Sequence, residues 1–120
     1  MKILKNWFPV FIYSGIIYFM SSVPSLKAPI EIPHIDKVFH FCEYIPFGFL
    51  VTKALYGTTT RFSSRALFLL ALGLTVFYAG TDEFHQSFVT GRNADGSDAL
   101  FDVLGGLVGS RIYIRKRKLS

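Results

Sequence analysis

Residues 65–88, RALFLLALGLTVFYAGTDEFHQSF, decide the fold: sixteen uncharged, mostly apolar residues, Ala66 to Thr81, run straight into Asp82, Glu83, His85 and Gln86. A helix needs about 20 residues to cross the ~30 Å hydrocarbon core of a bilayer. The block reaches that length only by continuing into its acidic end, which predicts a helix over 65–87. Ionisable side chains on such a helix are costly unless they face protein or a wet cavity. The same stretch therefore predicts both a membrane segment and an interior for it to face.

The rest of the chain agrees. A length of 120 residues allows one domain, and 51% hydrophobic residues with only 18% charged and a mean hydropathy of +0.39 fit a membrane protein better than a soluble one of this size. The net charge of +5 does not indicate nucleic acid as a partner, because the basic residues sit beside apolar runs and not on a polar, aromatic-studded surface. The single cysteine, Cys42, excludes an internal disulfide and any cysteine-rich metal site.

Three further blocks read as helices. Residues 6–23 lie in a stretch with no charge between Lys5 and Lys27 and are long enough to span. A cleaved leader is the alternative, since Lys2 and Lys5 precede an apolar run and SSVPS follows it, but there is no A-x-A-like site. Residues 36–56, DKVFHFCEYIPFGFLVTKALY, and 98–114, DALFDVLGGLVGSRIYI, span only if their acidic first halves enter the membrane region. A hairpin of two spans with two interfacial helices is the alternative there. Pro46 is expected to kink the second helix, with Gly48 easing the bend. The linkers, 21–35, 57–64 and 88–97, carry turn and breaker residues. The expectation is an all-α, four-helix transmembrane bundle forming a single domain over 1–120.

Charge gives an orientation. With four spans, ten of the thirteen Lys and Arg residues fall on the side of the two termini and the middle loop, which predicts a plasma-membrane protein with both termini cytoplasmic. All eight Asp and Glu residues fall on the other side or the adjoining helix ends. There, Asp82, Glu83 and Gln86 share one helical face within about 100 degrees, with His85 just round from Asp82. Asp36, His40, Glu43 and Tyr44 form one stripe on the second helix, and Asp98, Asp102, Gly105 and Gly109 form one on the fourth. Gly105-x-x-x-Gly109 is a small-xxx-small surface for close helix approach, so the acidic stripe of that helix is expected to face the bundle. Three helices thus aim polar groups at a shared outer cavity, and Cys42, one or two turns below the surface, is expected to report whether water reaches it.

The blocks SSVP (21–24), DKVFHFCEY (36–44), TDEFHQSFVTGR (81–92) and DALFDVLGGLVG (98–109) resemble the VanZ-like family of small bacterial membrane proteins. The resemblance implies motif positions at Asp36, Lys37, His40, Tyr44, Asp82, Glu83, Gln86, Arg92, Asp98, Asp102, Gly105 and Gly109. It also implies a part in low-level tolerance of the glycopeptide antibiotic teicoplanin, in which the founding relative is implicated. Asp102 departs from the pattern, since many relatives carry asparagine there, and Pro46 interrupts a helix often written without it. Some relatives bear a phosphotransbutyrylase label, but this chain has no glycine-rich phosphate loop after a strand.

Several functions fit the constellation. The polar groups can serve assembly alone, interhelical contacts of this kind contributing roughly 0.6–2 kcal/mol each. They can instead form a binding pocket for a lipid headgroup or a lipid-linked cell-wall precursor, with Lys37 and Arg92 as anion contacts. In an enzyme, His40, Glu43, Asp82 and Glu83 are the candidate catalytic residues, as general acid and base or around a divalent cation. No dedicated signature such as H-E-x-x-H is present, so no residue is assigned as a metal ligand, and the cofactor stays unknown. Membrane lipid is the expected partner. Four spans with no duplicated half offer little for a transporter's alternating access unless the protein forms a homodimer.

Overall fold

The computed structural model describes residues 1–23, 35–91 and 96–120. These residues form four helices: α1 (Lys2–Ser22), α2 (Ile35–Thr58), α3 (Ser64–Gln86) and α4 (Gly96–Leu119). The expected all-α, four-helix architecture is therefore observed, with α1, α2 and α4 longer than the sequence indicated and α3 shifted by one residue. α4 runs on through Arg115–Lys118, because Lys and Arg are good helix formers and a cationic last turn complements the helix dipole. Ser63 starts α3: its hydroxyl accepts from the Ala66 amide at 3.2 Å, satisfying one orphan donor of the first turn. α2 continues as helix through Pro46, whose ring points outward.

The helices alternate in direction. Near the start of α1, Trp7 donates from Nε1 to Thr58 Oγ1 at the end of α2, 2.8 Å away. At the other end of α1, Ser22 Oγ lies 2.8 Å from His85 Nε2 at the end of α3. α2 touches all three other helices and pairs most extensively with α4, while α1 and α4 do not meet among the described residues.

Glycine sets the α2–α4 distance. A Cβ on Gly105 would lie 2.1 Å from the Phe41 carbonyl oxygen and one on Gly109 1.9 Å from that of Ile45. The small-xxx-small face expected on this helix is thus pressed against backbone. Gly48 has a different role from the one its place beside Pro46 suggested: its Cβ would lie 2.0 Å from the Gly106 carbonyl oxygen, so its absence allows contact with α4 rather than easing a bend.

Apolar side chains cover the outside. Phe11, Phe19 and Phe77 are each about two-thirds exposed (66%, 67% and 71%), and Leu69, Leu74, Phe84 and Leu100 also face outward. α1 and α3 are the two helices long and apolar enough to cross a membrane, and only 11% and 22% of their apolar windows are buried. A core helix of a soluble protein would be mostly buried, so these faces are suited to lipid. α2 and α4 each extend over 24 residues but carry the charged groups.

A buried ionic cluster as candidate functional site

α1 and α3 finish, and α2 and α4 begin, at the same end of the bundle, and this end holds the acidic residues. Asp98 occupies the first turn of α4, where the helix dipole favours a carboxylate, and Asp102 follows one turn later. On α2 the i, i+4 spacing places His40 and Tyr44 on the face turned to α4 and α3. Asp82 and Gln86 occupy the buried face of α3 in line with Ala71, Thr75 and Ala79.

His40 is the centre of the arrangement. Its Nδ1 lies 2.8 Å from Asp102 Oδ1, a hydrogen bond, and its Nε2 lies 3.6 Å from Asp98 Oδ2, an ion-pair distance too long for one. Lys37 Nζ donates to Asp98 Oδ1 at 3.2 Å and stands 3.8 Å from Asp36. Tyr44, fully buried, donates from its hydroxyl to Asp82 Oδ2 at 3.2 Å. One ligand-capable atom from each of His40, Asp82 and Asp102 lies within 4.8 Å of the others. Asp82, Asp98 and Asp102 are thus buried carboxylates contributed by two helices, set against one ammonium and one imidazole from a third.

The structure brings together most residues the sequence singled out. Lys37, His40, Tyr44, Asp82, Asp98 and Asp102 form the linked cluster, and Gln86 is buried on the same face of α3. Glu43 and Glu83 are half-buried at this level. Asp36 is a correction: its side chain is 60% exposed and meets the cluster only through Lys37, because the first turn of α2 extends beyond the packed part of the bundle. Arg92 lies outside the described residues. Among the described residues, the charged groups expected to line a shared cavity bond to one another. Shallow grooves also lie at the basic end, beside Arg115 and Lys116 on α4 and beside Lys2 and Lys5 on α1. Cys42 is exposed on the face of α2 opposite His40 and Tyr44, so its reactivity reports the outer surface of that helix and not water at the cluster.

Other contacts were not read from the sequence. Tyr13 donates to the Glu43 carbonyl at 2.5 Å and Tyr78 to the Ser14 carbonyl at 2.5 Å, so two tyrosines tie α1 to α2 and α3. His85 leaves the cluster: it stacks on Tyr18 with ring centroids 4.3 Å apart and bonds Ser22. The SSVP block carried the one available signal for that bond. Deeper in the bundle Thr52 donates to Ser110 at 2.8 Å, joining α2 to α4 by hydroxyls.

An uncharacterized protein of Schizosaccharomyces pombe is 32% identical over 125 residues, an alignment that covers 99% of this chain and 68% of the relative. No solved structure matches the chain. The sequence pattern of the VanZ/LLP1 family matches residues 3–117, so the match takes in every residue of the cluster and both spanning-length helices. This chain is a membrane protein of the VanZ/LLP1 family.

Proposed function

We propose that the cluster is a recognition site for the polar headgroup of a cell-envelope lipid or lipid-linked cell-wall precursor, and that occupying or shielding this component contributes to tolerance of teicoplanin-type glycopeptides. The observation that carries the proposal is the burial of three carboxylates and a histidine, beside a half-buried lysine, at one end of a bundle with an apolar exterior. Ionisable groups at membrane depth are expensive, and simple helix assembly needs only neutral contacts such as Thr52–Ser110. Lys37, 15% exposed, stands at the mouth and is placed to meet a phosphate, while the carboxylates behind it suit an ammonium group.

In this proposal all four helices cross the membrane with both termini in the cytoplasm. The 48 Å length of the described residues supports it, since a bilayer with its headgroups measures about 40–45 Å. The asymmetry of lysine and arginine sets the orientation. The functional test compares teicoplanin tolerance of cells expressing wild type, His40→Ala, Glu83→Gln and Arg92→Ala at matched membrane levels. Loss of tolerance in the variants is expected. If all three behave like wild type, the recognition site is refuted and the cluster serves assembly alone.

A further inference from the structure

We propose that His40 of α2, Asp82 of α3 and Asp102 of α4 are the protein ligands of a first-row divalent metal ion. Three helices bring these residues together, each is more than nine-tenths buried, and one donor atom from each lies within 4.8 Å of the others. A metal bonded at about 2.0–2.2 Å to each would hold the donors ~3.4 Å apart, a closure that side-chain rotation supplies. One imidazole nitrogen with two carboxylate oxygens is the donor set of Zn²⁺ or Mn²⁺. Ca²⁺ takes more oxygens than this site offers, and Mg²⁺ keeps several of its waters.

A further buried polar group stands at the same end of the bundle: Ser21 Oγ, on a residue only 3% exposed, has no hydrogen-bond partner among the described residues. A buried hydroxyl of this kind calls for an ion or an ordered water.

The surrounding charges agree. With its carboxylates ionised, the cluster of Asp82, Asp98 and Asp102 keeps net negative charge against Lys37 and His40 whatever the state of the ring. A dication between a neutral His40 Nδ1 and the carboxylates cancels that imbalance. His40 Nε2 stays turned toward Asp98, and Tyr44 stays bonded to Asp82, which are the outer contacts that orient metal-bound histidine and carboxylate.

The inference does not depend on the headgroup proposal, and its test needs no added lipid. Tag-free full-length protein in detergent is stripped with a chelator, reloaded with Zn²⁺ or Mn²⁺, desalted and assayed for metal by mass spectrometry. Roughly one ion per chain is expected in the wild type, with Asp102→Asn and Asp82→Asn binding at least about tenfold more weakly. Helical circular dichroism checks that the variants fold. Co²⁺ added to wild type reads the site without any variant, through visible d–d absorption that Zn²⁺ displaces. No retained metal and no Co²⁺ absorption in the wild type overturns the inference, as does equal binding by wild type and folded Asp82→Asn and Asp102→Asn. Headgroup binding that persists in the stripped protein leaves the recognition proposal standing without the metal.

Discussion

Replacing Gly109 by alanine tests how the α2–α4 pair is held. The new Cβ would lie 1.9 Å from the Ile45 carbonyl oxygen and 2.8 Å from the Phe49 amide nitrogen. A carbon and a carbonyl oxygen in contact stand about 3.3 Å apart, so the helices must part by ~1.4 Å at this level. Both obstructing atoms are backbone, and no rotamer change relieves the clash. Overpacking of this kind costs about 1–3 kcal/mol. Parting that reaches His40 and Asp102, two turns away, would also stretch their 2.8 Å hydrogen bond past the ~3.5 Å at which such bonds fail, adding about 1.5 kcal/mol or more. The total is about 2.5–4.5 kcal/mol, large for a bundle that packs without a hydrophobic force between its helices. Gly73→Ala is the control: a Cβ there meets nothing within 4 Å, so the substitution should stabilise by about 0.5–1 kcal/mol through helix propensity. Thermal unfolding in detergent micelles, followed by circular dichroism, measures both. A Gly109→Ala protein within about 0.5 kcal/mol of wild type would refute the close backbone packing.

Three other outcomes follow from the contacts. Tyr44→Phe removes the donor to Asp82 and leaves a buried carboxylate oxygen short of a partner, which should cost about 1–3 kcal/mol in the same unfolding assay; a neutral effect would mean that water reaches Asp82. Thr52→Val with Ser110→Ala removes the hydroxyl link between α2 and α4 and should cost about 0.6–1.7 kcal/mol while leaving metal content unchanged, and a change in metal content would tie this link to the cluster. Cys42, on the outward face of α2, should resist a membrane-impermeant thiol reagent in intact membranes and react after detergent denaturation; labelling in intact membranes would place that face in water.

Much of the candidate site was legible because α4 obeys a simple rule. Asp98, Asp102, Gly105 and Gly109 recur at helical spacing, and all four are buried on one face, as that spacing requires. The same rule failed for Asp36 on α2. Periodicity names a face but not how far along the helix a neighbour reaches, and the first turn of α2 extends past its partners. His85, set one helical step round from Asp82, turns accordingly toward Ser22 and Tyr18 of α1.

By itself the sequence determined that there are four helices, that two of them are long and apolar enough to span, and that the carboxylates gather at one end. Helix length, charge and spacing are local properties, and they are written in order along the chain. Only the tertiary structure decided which apolar faces turn inward, that Gly48 and Gly106 let two backbones touch, and that Tyr13 and Tyr78 bind carbonyls of neighbouring helices. Lipid is as apolar as a protein interior, so hydropathy cannot tell a face that meets acyl chains from one that meets another helix. That choice depends on the fit of side chains across the bundle, and it exists only once the four helices are packed together.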